Sequence, residues 1–149
     1  MKGPALLDIN VLVALFDPDH VHHELAHDWF ADNRTRGWAT CPITENGFVR
    51  VLSNPAYGGS VTRVIELVER LRRFCATGHH TFWSDDVSIH DAEIFHPGLI
   101  AGHRQLTDIY LLGLAWHHEG TLATFDRRIS EKAIAGQARS ALEVIAPAE

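Results

Sequence analysis

Four acidic residues, Asp8, Glu45, Asp108 and Asp126, each stand where the chain changes character. Asp8 ends the apolar run Ala5-Leu6-Leu7, and Asp126 ends Leu122-Ala123-Thr124-Phe125. Short apolar runs closed by a polar turn read as buried strands. Glu45 follows Pro42-Ile43-Thr44 and Asp108 follows Gln105-Leu106-Thr107; each opens a stretch of helical spacing, with the preceding Thr as N-cap. In a parallel α/β sheet, strand C-termini and the N-termini of the following helices gather at one edge, where ligands bind. Carboxylates crowded there repel one another unless a cation joins them, and hard divalent cations take oxygen ligands. The pattern points to Mg²⁺ (or Mn²⁺) held by carboxylates. Singly, each acid is also what a helix start or a strand-end turn uses; the set of four carries the inference.

The elements that must position these acids follow from periodicity. Residues 4–7 read as a strand, 9–16 as a helix stopped by Asp17-Pro18-Asp19, and 20–32 as a helix with Leu25, Ala26, Trp29 and Phe30 on one face. Residues 38–41 form a second strand and 44–53 a short helix. Residues 61–76 give the clearest helix, with Val61, Val64, Ile65, Val68, Leu71, Phe74 and Cys75 at helical spacing and Glu66–Arg70 and Glu69–Arg73 as i,i+4 pairs. Residues 81–83 read as a strand, 88–95 as a helix opened by Ser88 and Asp91, 96–105 as a loop, and 107–119 as a helix ended by Gly120. A strand over 121–125, a short helix near 128–135 and a strand over 142–146 complete the chain. Strand–helix alternation implies a parallel or mostly parallel sheet with helices on both faces. If the first and fourth strands are neighbours, Asp8 and Asp126 share one edge.

A chain of 149 residues has room for one domain, 1–149. The net charge of −6 argues against a general nucleic-acid coat, whose affinity comes from Lys and Arg, and favours a basic partner. Cys41 and Cys75 form no short ligand spacing and read as small buried hydrophobes in a reducing compartment. The N-terminus, Met-Lys-Gly-Pro-Ala-Leu-Leu-Asp, carries a charge too early for a signal-peptide core, and no apolar run reaches the ~18 residues of a membrane span. The expectation is a cytoplasmic protein.

His23-Glu24-Leu25-Ala26-His27 has the spacing of a zinc metallopeptidase motif. Phe30 and Asn33 stand where its extended form needs Gly and His, and both His fall at the rim of the Leu25/Ala26/Trp29/Phe30 stripe or outside it. A solvated helix face accounts for the pair. His79-His80 and His117-His118 read as surface or helix-end residues, Trp38, Trp83 and Trp116 as packing. Arg127 and Arg128, directly after the last acid, are candidates for phosphate contact.

The segments LLDINVLVALFDPDHVHH, ATCPITENGFVRVLSN, QLTDIYLLGLAWHHEGTLATFD and DRRIS, in this order, resemble PIN-domain ribonucleases, and among them the VapC toxin branch of toxin–antitoxin pairs. The resemblance runs from about Leu6 to Ile145; residues 54–100 are its least informative part. It implies a PIN-like three-layer α/β/α fold, Mg²⁺- or Mn²⁺-dependent RNA cleavage, a homodimer, and inhibition by a VapB-like antitoxin whose tail sends a basic side chain to the acidic centre, with DNA reached only through that antitoxin. The family's acidic positions fall on Asp8, Glu45, Asp108 and Asp126, and its flanking polar positions on Asn10 and Thr124. The expected division is Asp8, Asp108 and Asp126 on the metal, Glu45 as a ligand or orienting the attacking water, and Asn10 and Thr124 supporting the carboxylates by hydrogen bonds. A non-catalytic module binding a basic partner in the same acidic pocket is the alternative of another class. An α/β phosphatase is a weaker one, because its D-x-D is replaced here by Asp8-Ile9-Asn10.

Overall fold

A computed structural model describes residues 2–58, 62–135 and 139–147. Its centre is a five-stranded sheet of β1 (Ala5–Leu7), β2 (Trp38–Thr40), β3 (His80–Phe82), β4 (Thr121–Thr124) and β5 (Leu142–Val144), in the order β3-β2-β1-β4-β5. All four pairings are parallel. Leu6 pairs with Ala39 on one side and Leu122 on the other, so β1 is central and β4 its neighbour. The strands between the edges are buried on both faces, which is why they read as continuous apolar runs rather than alternating ones.

Helices cover both faces, giving three layers. Ala5, Leu7, Trp38 and Ala123 point to one side and pack with α1 (Ile9–Phe16), α2 (His23–Asn33), α3 (Pro42–Ser53) and α4 (Val64–Cys75). Leu6, Ala39 and Leu122 point to the other and pack with α5 (His103–His117) and the segment carrying Trp83, Ile94 and Phe95. Two glycines allow close approaches. A Cβ on Gly47 would stand 2.3 Å from the Ile9 side chain where α3 meets α1, and one on Gly113 would stand 2.3 Å from the Phe95 ring.

The structure corrects several local expectations. Residues 88–95 form turns, because Ser88 and Asp91 spend their side chains on the nearby His90 and Glu93 N–H groups. Residues 128–135 hold a single tight turn, Glu131–Ala133, rather than an α-helix. In α4 the buried residues are Leu67 and Leu71, while Val64, Ile65 and Val68 are exposed. Two apolar stripes overlap on that helix, and only one meets the core; Val61 lies outside the described residues. The ion pairs on α4 are Arg63–Glu66 and Arg72–Glu69, at i,i+3 rather than i,i+4.

The metallopeptidase-like histidines of α2 have another use. His23 Nδ1 donates to the Ala14 carbonyl at 2.7 Å and His27 Nε2 to the Leu15 carbonyl at 2.8 Å. Carbonyls in the last turn of a helix lack intrahelical partners, so this pair closes the end of α1. Among the described residues, no helix is long and apolar enough to cross a membrane.

Candidate active site

Asp8 is where β1 becomes α1. Its backbone N–H continues the ladder to Ala123 O at 3.0 Å, and its carbonyl accepts from Val11 and Leu12. Its extended backbone makes it the N-cap, with the carboxylate accepting from Ile9 N–H at 2.8 Å. The other carboxylate oxygen accepts from the Thr124 hydroxyl at 2.7 Å. Thr124 closes β4, the adjoining strand, so its hydroxyl also accepts from Asp126 N–H at 3.1 Å and from Asn10 Nδ2 at 3.4 Å. One hydroxyl therefore fixes Asp8, Asn10 and the turn carrying Asp126 relative to one another.

Asp108 arrives from α5. That helix begins at His103, four residues before the expected start, because Gly102 is its N-cap and its first turn is polar. Thr107 is thus inside the helix, and Asp108 lies one turn past Arg104. Likewise α3 begins at Pro42 with Cys41 as N-cap; Thr44 is not the cap but bonds back to Cys41 N–H at 3.0 Å. Asp8, Asp108 and Asp126 line one cavity of about 350 Å³, together with Asn10 and His20. An adjoining cavity of about 340 Å³ carries Asp108 and Asp126 past Arg104 and Arg128. Arg128 reaches Asp126 through Nε at 3.2 Å and is otherwise exposed, as is Arg127.

Electrostatics mark two of these acids, Asp8 and Asp108. Burial pushes the Asp8 carboxyl above its ordinary range; the bonds from Thr124 and Ile9 act against this, and the Asp126 charge adds to it. Burial, then the charges of Asp8 and Asp126, push Asp108 up to about 6, with Arg128 opposing. Like charges held together at a cleft are a physical marker of function. The Asn10 Oδ1 atom is buried with no hydrogen-bond partner, leaving an oxygen acceptor free beside them.

Glu45 is placed differently. Its Oε2 accepts from the Thr40 hydroxyl at 2.7 Å, and it lines neither aspartate cavity. Arg104, His20 and Tyr57, whose hydroxyl donates to Asp17 at 2.6 Å, border the cavities and escaped the sequence reading. Arg104 was hidden by the misplaced helix start; with α5 begun at 103, its i,i+4 relation to Asp108 is visible. His20 and Tyr57 carried no local signal.

The raised Asp108 carboxyl has a measurable consequence. Its folded value lies above its unfolded one of 3.8. Its contribution to stability is therefore complete below about pH 3.8 and lost as pH rises through about 6. Asp108→Asn removes that loss. Thermal melts in EDTA at pH 7.5 should show the variant more stable by on the order of 1 kcal/mol after allowance for solvent screening of this half-buried group. The gap should close as the pH falls below 4, and a variant less stable at pH 7.5 would contradict the repulsion described above.

Comparison with known proteins identifies the family. The PIN domain family matches residues 5–135. The chain is 44% identical over 141 residues to Ribonuclease VapC44 of Mycobacterium tuberculosis, spanning 95% of this chain and 99% of that protein. It is 41% identical over 132 residues to Ribonuclease VapC39 of the same organism (89% and 95%), and 47% identical over 122 residues to its Ribonuclease VapC38 (82% and 84%). With the acid-lined sheet edge and these matches in hand, the chain belongs to the PIN domain family and, within it, to the VapC ribonucleases.

Proposed function

We infer that this protein is a metal-dependent endoribonuclease toxin of a toxin–antitoxin pair. The observation that carries the reading is the convergence of Asp8, Asp108 and Asp126 on one cavity at the C-terminal edge of β1 and β4. The donor set suits Mg²⁺ (or Mn²⁺): it is all oxygen, two of its carboxyls are pushed up by burial and like charge, and the Asn10 oxygen beside it is unpartnered. Asp8, Asp108 and Asp126 would hold the ion. When bound, such an ion supplies hydroxide at neutral pH and offsets charge gathering on the phosphate oxygens.

The chain's own residues do the rest. Thr124 and the Ile9 N–H keep the Asp8 carboxylate from rotating. Asn10 donates from Nδ2 to the Thr124 hydroxyl, and its side chain lines the cavity. Arg104 and Arg128, with Arg127 beside them, offer positive charge at the rim where a phosphodiester would enter. Glu45 stays outside the metal-holding set in this reading, because it lines neither of the cavities that the aspartates share. An open cleft suits single-stranded or looped RNA, whose backbone and bases can be reached.

The partner side of the proposal is a VapB-like antitoxin presenting a basic segment to the acidic centre, consistent with the net charge of −6. It also includes a homodimer in the cytoplasm, with DNA contacted only through the antitoxin. The test is cleavage of total cellular RNA by purified protein with Mg²⁺, Mn²⁺ or EDTA. Discrete fragments with Mg²⁺ or Mn²⁺ and none in EDTA are expected. Cleavage that survives EDTA, or no cleavage with either ion, would overturn the reading.

A further inference from the structure

Three cavities run into one another across the aspartate centre. The one lined by Arg104 and Arg128 shares Asp108 and Asp126 with the central one. The central one shares His20 and Tyr57 with a third, of about 640 Å³, that reaches Arg70 of α4. The trough so formed has cations at both ends, the acids in the middle, and two rings between the acids and Arg70. We propose that the arm beyond the acids is a nucleotide subsite for the single-stranded RNA cut at the aspartate centre: an unpaired base lies against Tyr57 and His20, and Arg70 holds a neighbouring phosphate. This rests on the ribonuclease reading of the same centre.

The rings are fixed before any ligand arrives. Tyr57 ends the tight turn Pro55–Tyr57 that follows α3, a turn capped by Asn54, whose side chain accepts from Ala56 N–H at 2.9 Å. Its hydroxyl donates to Asp17 at 2.6 Å, and burial together with this bond pushes the phenol up to about 12, so it stays neutral. That bond uses the oxygen and leaves the ring available: Tyr57 is 37% exposed and, among the described residues, stacks on no other aromatic ring. His20 is held by His22 N–H, which donates to its Nδ1 at 3.0 Å, and by Phe125, on which its ring stacks with centroids 6.4 Å apart. Rings held in place lose little freedom on binding, and every base has a face that can stack on them.

Arg70 is the cation this arm needs. Helical spacing would pair it with Glu66, but Glu66 bonds Arg63, and Glu69 bonds Arg72. Arg70 is left exposed, with no ion pair among the described residues. A guanidinium stays charged at physiological pH and can fork onto two phosphate oxygens. The acids of the arm do not compete for it: Asp17 accepts from the Tyr57 hydroxyl and from Asp19 N–H. Asp19, exposed in the same arm, keeps phosphate away from its own side and leaves that part to a base. A basic segment of a protein partner would meet like charge at both ends of the trough, at Arg70 and at Arg104 and Arg128, whereas an anionic strand meets opposite charge there.

Binding is read by fluorescence anisotropy of a labelled single-stranded RNA dodecamer of random sequence, in Mg²⁺, on the full chain carrying Asp8→Asn so that the RNA stays intact. Adding Tyr57→Ala should weaken binding by about 10–100-fold, the range for losing one aromatic–base stack. Tyr57→Phe lacks the bond to Asp17 but keeps the ring, and should bind nearly as the parent does. Arg70→Gln should reduce the slope of log affinity against log salt by about 0.7, the share of one phosphate on a single strand, while Tyr57→Ala leaves that slope unchanged. Thermal melts confirm that each variant is folded. Affinity and slope untouched by Tyr57→Ala and Arg70→Gln would give the arm to a protein partner and overturn the subsite. A loss in Tyr57→Phe equal to that in Tyr57→Ala would overturn the stacking role. No RNA binding by the parent chain would also overturn the subsite; whether the ribonuclease reading falls with it is read separately, from cleavage by the wild-type chain in Mg²⁺.

Discussion

Asp8→Asn is expected to lower metal-dependent RNA cleavage by at least about 10²–10³-fold, the scale of removing one preorganised charge-stabilising group, without lowering the melting temperature. The two halves of that expectation come from different atoms. The carboxylate charge is one of three facing the cavity, and nothing else in β1 can replace it. The structural work of Asp8 needs only an oxygen acceptor for Ile9 N–H and a polar group opposite the Thr124 hydroxyl. Asparagine caps helices as well as aspartate does, and its amide can donate to Thr124 in place of the long 3.4 Å contact from Asn10 Nδ2, with the hydroxyl turned. The native carboxylate is also strained, since burial and Asp126 raise its pKa, so losing the charge relieves repulsion. Initial cleavage rates at saturating Mg²⁺, beside far-ultraviolet dichroism and thermal melts, test both halves. Wild-type rates in a folded variant would remove Asp8 from the site, and a variant that unfolds would show that the cap, not the charge, dominates.

The parts of this site that were legible in sequence are those where one residue does two local jobs. Asp8 ends an apolar run and starts a helix, and Asp126 closes another run, so both are marked by their neighbours in the chain. Buried strands of three or four residues left no other way to read Ala5–Leu7 and Thr121–Thr124. Asp108 was identified but given the wrong context. A threonine before an acid imitates a cap, while the real start at Gly102 opens with His103, Arg104 and Gln105, whose polarity imitates a loop. The error mattered, because it hid Arg104. The meeting of Glu45, Cys75 and His80, whose polar atoms lie within 4.8 Å of one another, was illegible for another reason: β3 must pair with β2 and α4 must pack against α3, and neither fact has a local signature. The metallopeptidase motif shows the reverse failure. His23 and His27 do share a helix face, but the last carbonyls of α1 claim them.

Glu143 had no signal at all in the sequence, yet breaking its network is the largest stability effect expected. It lies on β5, 7% exposed, and accepts from Trp29 Nε1 at 2.9 Å, from the Thr121 hydroxyl at 2.9 Å and from Arg36. Arg36 is itself mostly covered and sits over the Trp29 ring, 5.7 Å from its centre. Glu143→Gln leaves Arg36 as a buried charge without its counter-charge, which costs about 3–5 kcal/mol. For a chain of this size that lowers the melting temperature by roughly 10–15 °C. Replacing both partners by Met should recover much of the loss, since an apolar pair of similar volume carries no desolvation cost. The pH dependence runs opposite to that of Asp108. Burial alone would raise the Glu143 carboxyl, but the bonds from Arg36, Thr121 and Trp29 outweigh it and hold the group below its usual 4.5. Its stabilisation is therefore complete above pH 4.5 and lost as the pH falls through the lower folded value. Urea titrations from pH 7 to pH 3 should show the wild-type advantage over Glu143→Gln shrinking toward the acid end. An advantage that stays constant across that range would mean that shape and packing at β5, rather than the buried charge, hold the network together.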